Sequence, residues 1–153
     1  MKKILSLVLC LTLLLTFAAC GTTKTEEFTP VTDGAVVGEG ATSFPLVIVD
    51  GDGNVVNVTV NTDEETVGAA LVETGLVEGE ESDYGLYVKV VNGILADYDV
   101  DATYWAFYIN DEYAMTGVDS TPIVSGETYK LAVEGKNRNR GSGSSLPRFY
   151  SQR

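Results

Sequence analysis

The sequence predicts an α+β domain in which one helix covers a face of a mixed sheet. Three observations predict it: short β-patterned runs set off by turn residues, one capped amphipathic segment, and an aromatic run that alternates between two faces. Leu46-Val47-Ile48-Val49 and Val55-Val56-Asn57-Val58-Thr59-Val60 flank Asp50-Gly51-Asp52-Gly53-Asn54, a hairpin with turn residues at its tip. The helix follows. Thr62 and Glu65 have the spacing of a capping box, Val67, Ala70, Leu71 and Thr74 share one face, and Gly75 is placed to end it in a left-handed conformation. Leu76 and Val77 then return to the core, and Glu78 to Asp83 reads as an acidic loop.

Three more strands are expected at Leu86–Val91, Tyr104–Ile109 and Thr128–Val133, each ending in turn residues, with a short return strand at Tyr113–Met115. Hairpin, helix and further strands, in that order, make a β-grasp-like sheet. Parity within the aromatic strand divides its residues. Trp105, Phe107 and Ile109 share one face and Tyr104, Ala106 and Tyr108 the other, since alternate side chains point to opposite sides. The more apolar trio belongs under the helix, which leaves two tyrosines on the open face.

Composition removes several classes of function. No histidine occurs in the 153 residues, which removes the ordinary neutral-pH base, the Ser/His and Cys/His nucleophilic systems and the commonest transition-metal ligand. All 22 acidic residues lie between Glu26 and Glu134, where Lys89 and Lys130 are the only bases. Such a surface repels nucleic acid and anionic head groups and favours cations or near-neutral partners. With no Gly-x-Ser-x-Gly elbow and no phosphate cradle, the chain is expected not to be an enzyme.

The ends differ in texture from the middle. Lys2 and Lys3 precede an apolar run from Ile4 to Phe17 that closes on Phe17-Ala18-Ala19-Cys20-Gly21. A charged start, a greasy middle and small residues before a cut describe a signal peptide, and the run is too short to span a bilayer. The cysteine after Ala-Ala resembles the lipobox of bacterial lipoproteins, with Phe17 where Leu is usual. That resemblance implies acylation of Cys20, an anchor in the bacterial cell membrane and an extracytoplasmic location. The expected division is a signal peptide over 1–19, lipidated Cys20 and a flexible linker over 20–43, the folded domain over 44–135 and a basic disordered tail over 136–153. Cys10 leaves with the signal, so no disulfide framework supports the mature domain.

Val91-Asn92-Gly93, then Tyr104-Trp105-Ala106-Phe107-Tyr108-Ile109-Asn110, then Tyr129-Lys130-Leu131 resemble the DUF4430 domain of bacterial lipoproteins. That domain is similar to the C-terminal β-domain of transcobalamin and intrinsic factor. The resemblance covers residues 45–134 and implies a β-grasp fold that binds a soluble ligand such as cobalamin or another corrinoid. Asp111 stands where the pattern usually has Gly. The vitamin carriers also close their site with a large helical domain that this sequence lacks, so a corrinoid would meet half a site here or a partner protein would supply the rest.

The expected ligand-binding residues are Tyr104 and Tyr108, with Trp105 weighed between ligand contact and core. Asp97, Asp99 and Asp101 alternate as oxygen ligands do and are a candidate calcium site, although Ala102 and Tyr108 occupy the Gly and Glu positions of a calcium loop. Asp50 to Asn54 starts like such a loop and fails the same test, at Val55 and Asn61. The expected function is a cell-surface lipoprotein that captures a small soluble ligand and passes it to a membrane transporter. The alternative is an adhesive module whose open face meets a surface protein or glycan.

Overall fold

A computed structural model describes residues 28–135. Two sheets and two short helices carry these residues. The strands are β1 (Ala35–Val37), β2 (Thr42–Val49), β3 (Val55–Thr62), β4 (Val77–Ser82), β5 (Gly85–Val91), β6 (Ile94–Leu95), β7 (Thr103–Ile109), β8 (Glu112–Tyr113) and β9 (Tyr129–Gly135). The helices are α1 (Val67–Glu73) and the single turn α2 (Tyr98–Asp101), with a 3-10 turn at Val118–Ser120. The larger sheet has the order β1-β3-β2-β9-β7-β8 and the smaller β4-β5-β6. The chain is therefore a mixed α+β fold.

The expected hairpin pairs β2 with β3 in register from Thr42↔Thr62 to Val49↔Val55. The closing strand β9 lies between β2, to which it is parallel, and β7, to which it is antiparallel. This places β7 second from one edge, with only the two-residue β8 beyond it.

The core fills the space between one face of the large sheet and a layer made by α1 and the small sheet. Phe44, Leu46 and Ile48 from β2, Val58 and Val60 from β3, Leu131 and Val133 from β9 and Trp105 and Phe107 from β7 meet Val67, Ala70, Leu71, Val88 and Val91 there. Tyr129 is its hub, edge-on to Phe44 at 5.2 Å and stacked on Phe107 at 6.1 Å. Its hydroxyl accepts from the Val124 amide at 2.9 Å and donates toward Pro122 O and Glu127. Helix α1 lies close against the 3-10 turn because Gly68 has no side chain. A Cβ there would stand 2.7 Å from the Asp119 backbone.

Four expectations change. The helix cap is Thr66, whose hydroxyl accepts from Ala69 N at 3.3 Å. Thr62 stays in β3, where its hydroxyl donates to Glu73 at 3.2 Å and accepts from Glu64 N at 3.0 Å. The acidic stretch from Glu78 is not a loop, since it forms most of β4 and pairs with β5 from Val77↔Val91 to Ser82↔Gly85. It is an edge strand exposed on both faces, so no apolar alternation marks it, and its carboxylates suit an edge that must not recruit another strand.

The third change concerns the linker. Described residues ahead of Phe44 belong to the body, because β1 pairs parallel to β3 from Ala35↔Val58 to Val37↔Val60. The strap begins earlier still. Val31 N donates to Asn92 Oδ1 at 2.7 Å, Asn92 Nδ2 donates to Val31 O at 3.0 Å, and Asp33 holds Asn57. The fourth change is the second sheet itself, which the element order did not reveal. Cys20, the signal segment and the basic tail lie outside the described residues.

Candidate functional site

The open side of the large sheet follows from β7 and β9. Thr103↔Gly135 through Ile109↔Tyr129 pair residue for residue, so Tyr104 faces Glu134, Ala106 faces Ala132 and Tyr108 faces Lys130. Val47 and Val49 of β2 stand beside Lys130 and Ala132. Ala106 is 1 % exposed and Ala132 6 %. Methyl groups on an open face are covered only if larger neighbours lean over them, so the two alanines lie beneath their larger neighbours on this face.

Two more tyrosines stand near Tyr104 and Tyr108. Tyr113 of β8 pairs with Tyr108 and meets its ring edge-on at 5.5 Å. Tyr98, in α2 just before β7, is largely exposed, as is Tyr113. The Tyr104 phenol is held above its ordinary value of 10.0, first by burial and then by the fields of Glu134, Tyr113 and Tyr98. These groups therefore share one neighbourhood.

Tyr108 is the more tightly held of the central pair. Its hydroxyl donates to the Glu134 carboxylate, and the Lys130 ammonium sits 4.5 Å from its ring centroid. Burial, reinforced by that hydrogen bond, pushes its pKa well above the ordinary phenol range. Lys130 is fixed from the other side by Asp111 at 2.6 Å. Asn110 and Asp111 both take left-handed conformations, φ 51° and 67°, as a two-residue hairpin turn requires. Aspartate in place of glycine at the second position thus supplies the carboxylate that steers Lys130 over Tyr108.

The raised phenols give a prediction with a definite sign. Tyr104, Tyr108 and Tyr129 keep their protons in the fold better than in the unfolded chain. Their contribution to stability is complete below pH about 10 and is lost as pH rises above it. An alkaline titration followed by phenolate absorbance is expected to show these three of the eight tyrosines ionising late, together with unfolding. Full ionisation in one step near pH 10 by a still-folded chain would count against the packing described.

Two expected sites are placed differently. Trp105 is 7 % exposed and lies on the core face, with its indole N–H toward Ile94 O at 3.3 Å. It points away from Tyr104 and Tyr108 and touches no ligand on their side, because neighbouring residues of a strand face opposite ways. Asp97, Asp99 and Asp101 do not converge. Asp97 caps α2 by accepting from Asp99 N at 3.0 Å and pairs with Lys89 at 3.0 Å, and the ammonium first and the amide second hold its pKa below the usual carboxylate value. Asp101 accepts from the Thr103 amide and hydroxyl. Among the described residues, no group of three His, Cys, Asp or Glu side chains could hold a metal. The alternation reflects capping of a one-turn helix.

Sequence reasoning placed Tyr104 and Tyr108 together and missed Glu134, Lys130, Tyr113 and Tyr98. Parity on β9 could have found the first two, since Lys130, Ala132 and Glu134 alternate with the apolar Leu131 and Val133. Tyr113 and Tyr98 needed the three-dimensional pairing.

Residues 64–134, which include β7, β8 and β9, match the family model described as Domain of unknown function (DUF4430). A solved structure described as a "putative metal binding protein" from Ruminococcus gnavus is 26% identical, with a TM-score of 0.59, over 63% of this chain and 99% of that one. Haptocorrin in complex with Cbi is 20% identical, with a TM-score of 0.44, over 61% of this chain and 25% of that one. No curated protein matches the chain. The resemblance carried by the aromatic strand therefore agrees with the family match, which spans residues 64–134 and so includes that strand.

Proposed function

We propose that the protein is an extracytoplasmic binding module, anchored through lipidated Cys20, that captures a small soluble ligand on its tyrosine face. The observation that carries this is the row of Tyr104, Tyr108 and Tyr113 on the face away from the core, beside the small residues Ala106 and Ala132. Packing alone does not call for large amphipathic rings on the side of a sheet away from the core. Such rings beside small residues are what a ligand surface uses to gain contact area at low entropic cost. Binding, and not catalysis, is the activity we assign, in keeping with the absence of histidine from the sequence. Finer than mixed α+β, we read the fold as a β-grasp, on the parallel central pair β2 and β9 flanked by β3 and β7.

Corrinoid is the ligand class that the resemblance to the transcobalamin β-domain implies. A single sheet face offers one side of such a site, so a surface partner or membrane transporter would supply the other. Metal binding, the property in the description of the Ruminococcus gnavus protein, is not carried over, because no cluster of ligating side chains supports it among the described residues.

Titration of the mature chain with cobalamin and cobinamide, followed by Trp105 emission, tests the reading. Corrinoids absorb where tryptophan emits, so energy transfer reports binding although Trp105 lies on the far side of the strand. Saturable quenching is expected. Its absence in a folded chain, together with capture of a surface protein or glycan through the same tyrosines, would move the assignment to the adhesive alternative. The anchor is tested separately: Cys20→Ser is expected to release the protein from the membrane fraction.

A further inference from the structure

Asn92-Gly93 is the one Asn-Gly pair in the chain, and the strap lies over both residues. The pair forms the two-residue turn between β5 and β6, with Val91 opposite Ile94 and φ of 51° and 76°. Asn110-Asp111 makes the turn between β7 and β8 without glycine, so a hairpin alone does not demand this pair. Asn92 is 5 % exposed, its amide is bonded to both backbone groups of Val31, and its own N–H donates to Leu76 O at 2.8 Å. Gly93 lies under Phe28 and Pro30, whose ring atoms would stand 3.0 and 3.6 Å from a Cβ placed on it.

An asparagine followed by glycine is open to deamidation, because no side chain shields the next amide nitrogen. The Gly93 nitrogen gives up its proton and attacks Asn92 Cγ, forming a C–N bond. The Cγ–Nδ2 bond breaks, and ammonia leaves carrying a proton in place of the one lost. Water then opens the cyclic imide at either carbonyl, which yields aspartate or isoaspartate. The strap opposes the first step, since Cγ cannot swing toward the Gly93 nitrogen while Val31 holds both amide atoms. After the last step the strap has lost its partner. A carboxylate has no N–H for Val31 O, and two acceptors then face each other in a buried position. We propose that Asn92 is a deamidation site guarded by the strap: opening of the strap admits the reaction, and the reaction makes the opening permanent. The inference concerns the strap and is independent of the ligand reading.

Peptide mass mapping of Asn92 during incubation at mildly alkaline pH tests it, on the folded mature chain, on the same chain unfolded in urea and on two variants. Val31→Pro removes the amide that donates to Asn92 Oδ1, and Phe28→Ala uncovers Gly93 while leaving Val31 intact. The unfolded chain is expected to convert at Asn92, and the folded chain to do so at least about tenfold more slowly. Each variant that keeps β2 and β9 protected from hydrogen exchange is expected to convert faster than the folded parent. Asn92→Asp, the product itself, is expected to speed exchange at Val31 with β2 and β9 still protected. Equal rates in the folded and unfolded parent overturn the inference, as does no conversion at Asn92 in the unfolded chain. So does a folded Val31→Pro or Phe28→Ala chain that converts no faster than the parent, or an Asn92→Asp chain in which Val31 stays fully protected.

Discussion

Tyr129→Ala is expected to destabilise the domain by about 3–5 kcal/mol, the range for deleting a buried aromatic side chain. Tyr129 is fully buried and joins β9 to both neighbours through its contacts with Phe44 of β2 and Phe107 of β7. Removing the ring opens a cavity at the middle of the large sheet. Removing the hydroxyl leaves the Val124 amide without its acceptor, a further penalty of about 1–3 kcal/mol if water cannot reach it. For a domain of this size the loss corresponds to a fall in Tm of roughly 15–30 °C. Tyr129→Phe separates the two effects, because it keeps the ring and loses only the polar contacts. Thermal and urea unfolding of both variants would measure them. A loss below about 1 kcal/mol for Tyr129→Ala would mean that the three aromatic rings do not form the centre of the core.

Asn92→Ala is expected to cost about 2–4 kcal/mol and to loosen the strap that leads into β1. Asn92 is buried, sits at φ 51° and uses its amide to satisfy both backbone groups of Val31, 61 positions away. Alanine loses on both counts: it is disfavoured in the left-handed conformation, and it leaves Val31 N–H and C=O unpaired. Asn92→Gly keeps the backbone conformation without strain and removes only the amide, so it should recover part of the loss. Hydrogen exchange at Val31 and along β1 reads the strap directly. Accelerated exchange there, with β2 and β9 unaffected, is the expected pattern. Unchanged protection at Val31 would show that the strap is held by other contacts.

These two residues also mark what could be read from the chain and what could not. The strands β2, β3, β7 and β9 were legible because each buries one face, and burial of one face writes a period of two into the sequence. Strand β4 was not legible, since its exposed Glu78, Glu80 and Glu81 follow no period. The cap was misplaced because Thr62-Asp63-Glu64-Glu65 has capping-box spacing, while its hydroxyl is occupied by β3's own exit turn. The strap looks like linker in the sequence because its composition is polar and its partners are distant: Asn57 for Asp33 and Asn92 for Val31. Asn92-Gly93 reads in the sequence only as a turn, and its anchoring role needs the fold.

At the site, parity placed Tyr104 and Tyr108 on one face without any structure. It could not rank them, because the difference between them comes from β9. Register sets Lys130 against Tyr108, where Asp111 steadies the ammonium over the ring, and sets Glu134 against Tyr104, from where its carboxylate reaches back to accept from the Tyr108 hydroxyl. The candidate metal site failed for a related reason. Alternating aspartates are compatible with a coordinating loop and with a capped single turn of helix, and only the backbone of Tyr98–Asp101 decides between them.

The central claim is that the tyrosine face, and no other exposed aromatic, is where a small soluble ligand docks. Parallel cobinamide titrations of the mature chain, Tyr104→Ala and Tyr84→Ala test it most directly, since Tyr84 is 97 % exposed at the far hairpin between β4 and β5. The account predicts that Tyr104→Ala weakens binding by about tenfold or more, as loss of a central aromatic contact does, and that Tyr84→Ala leaves it unchanged. Equal affinities for all three folded proteins, or no binding by any of them, would contradict it.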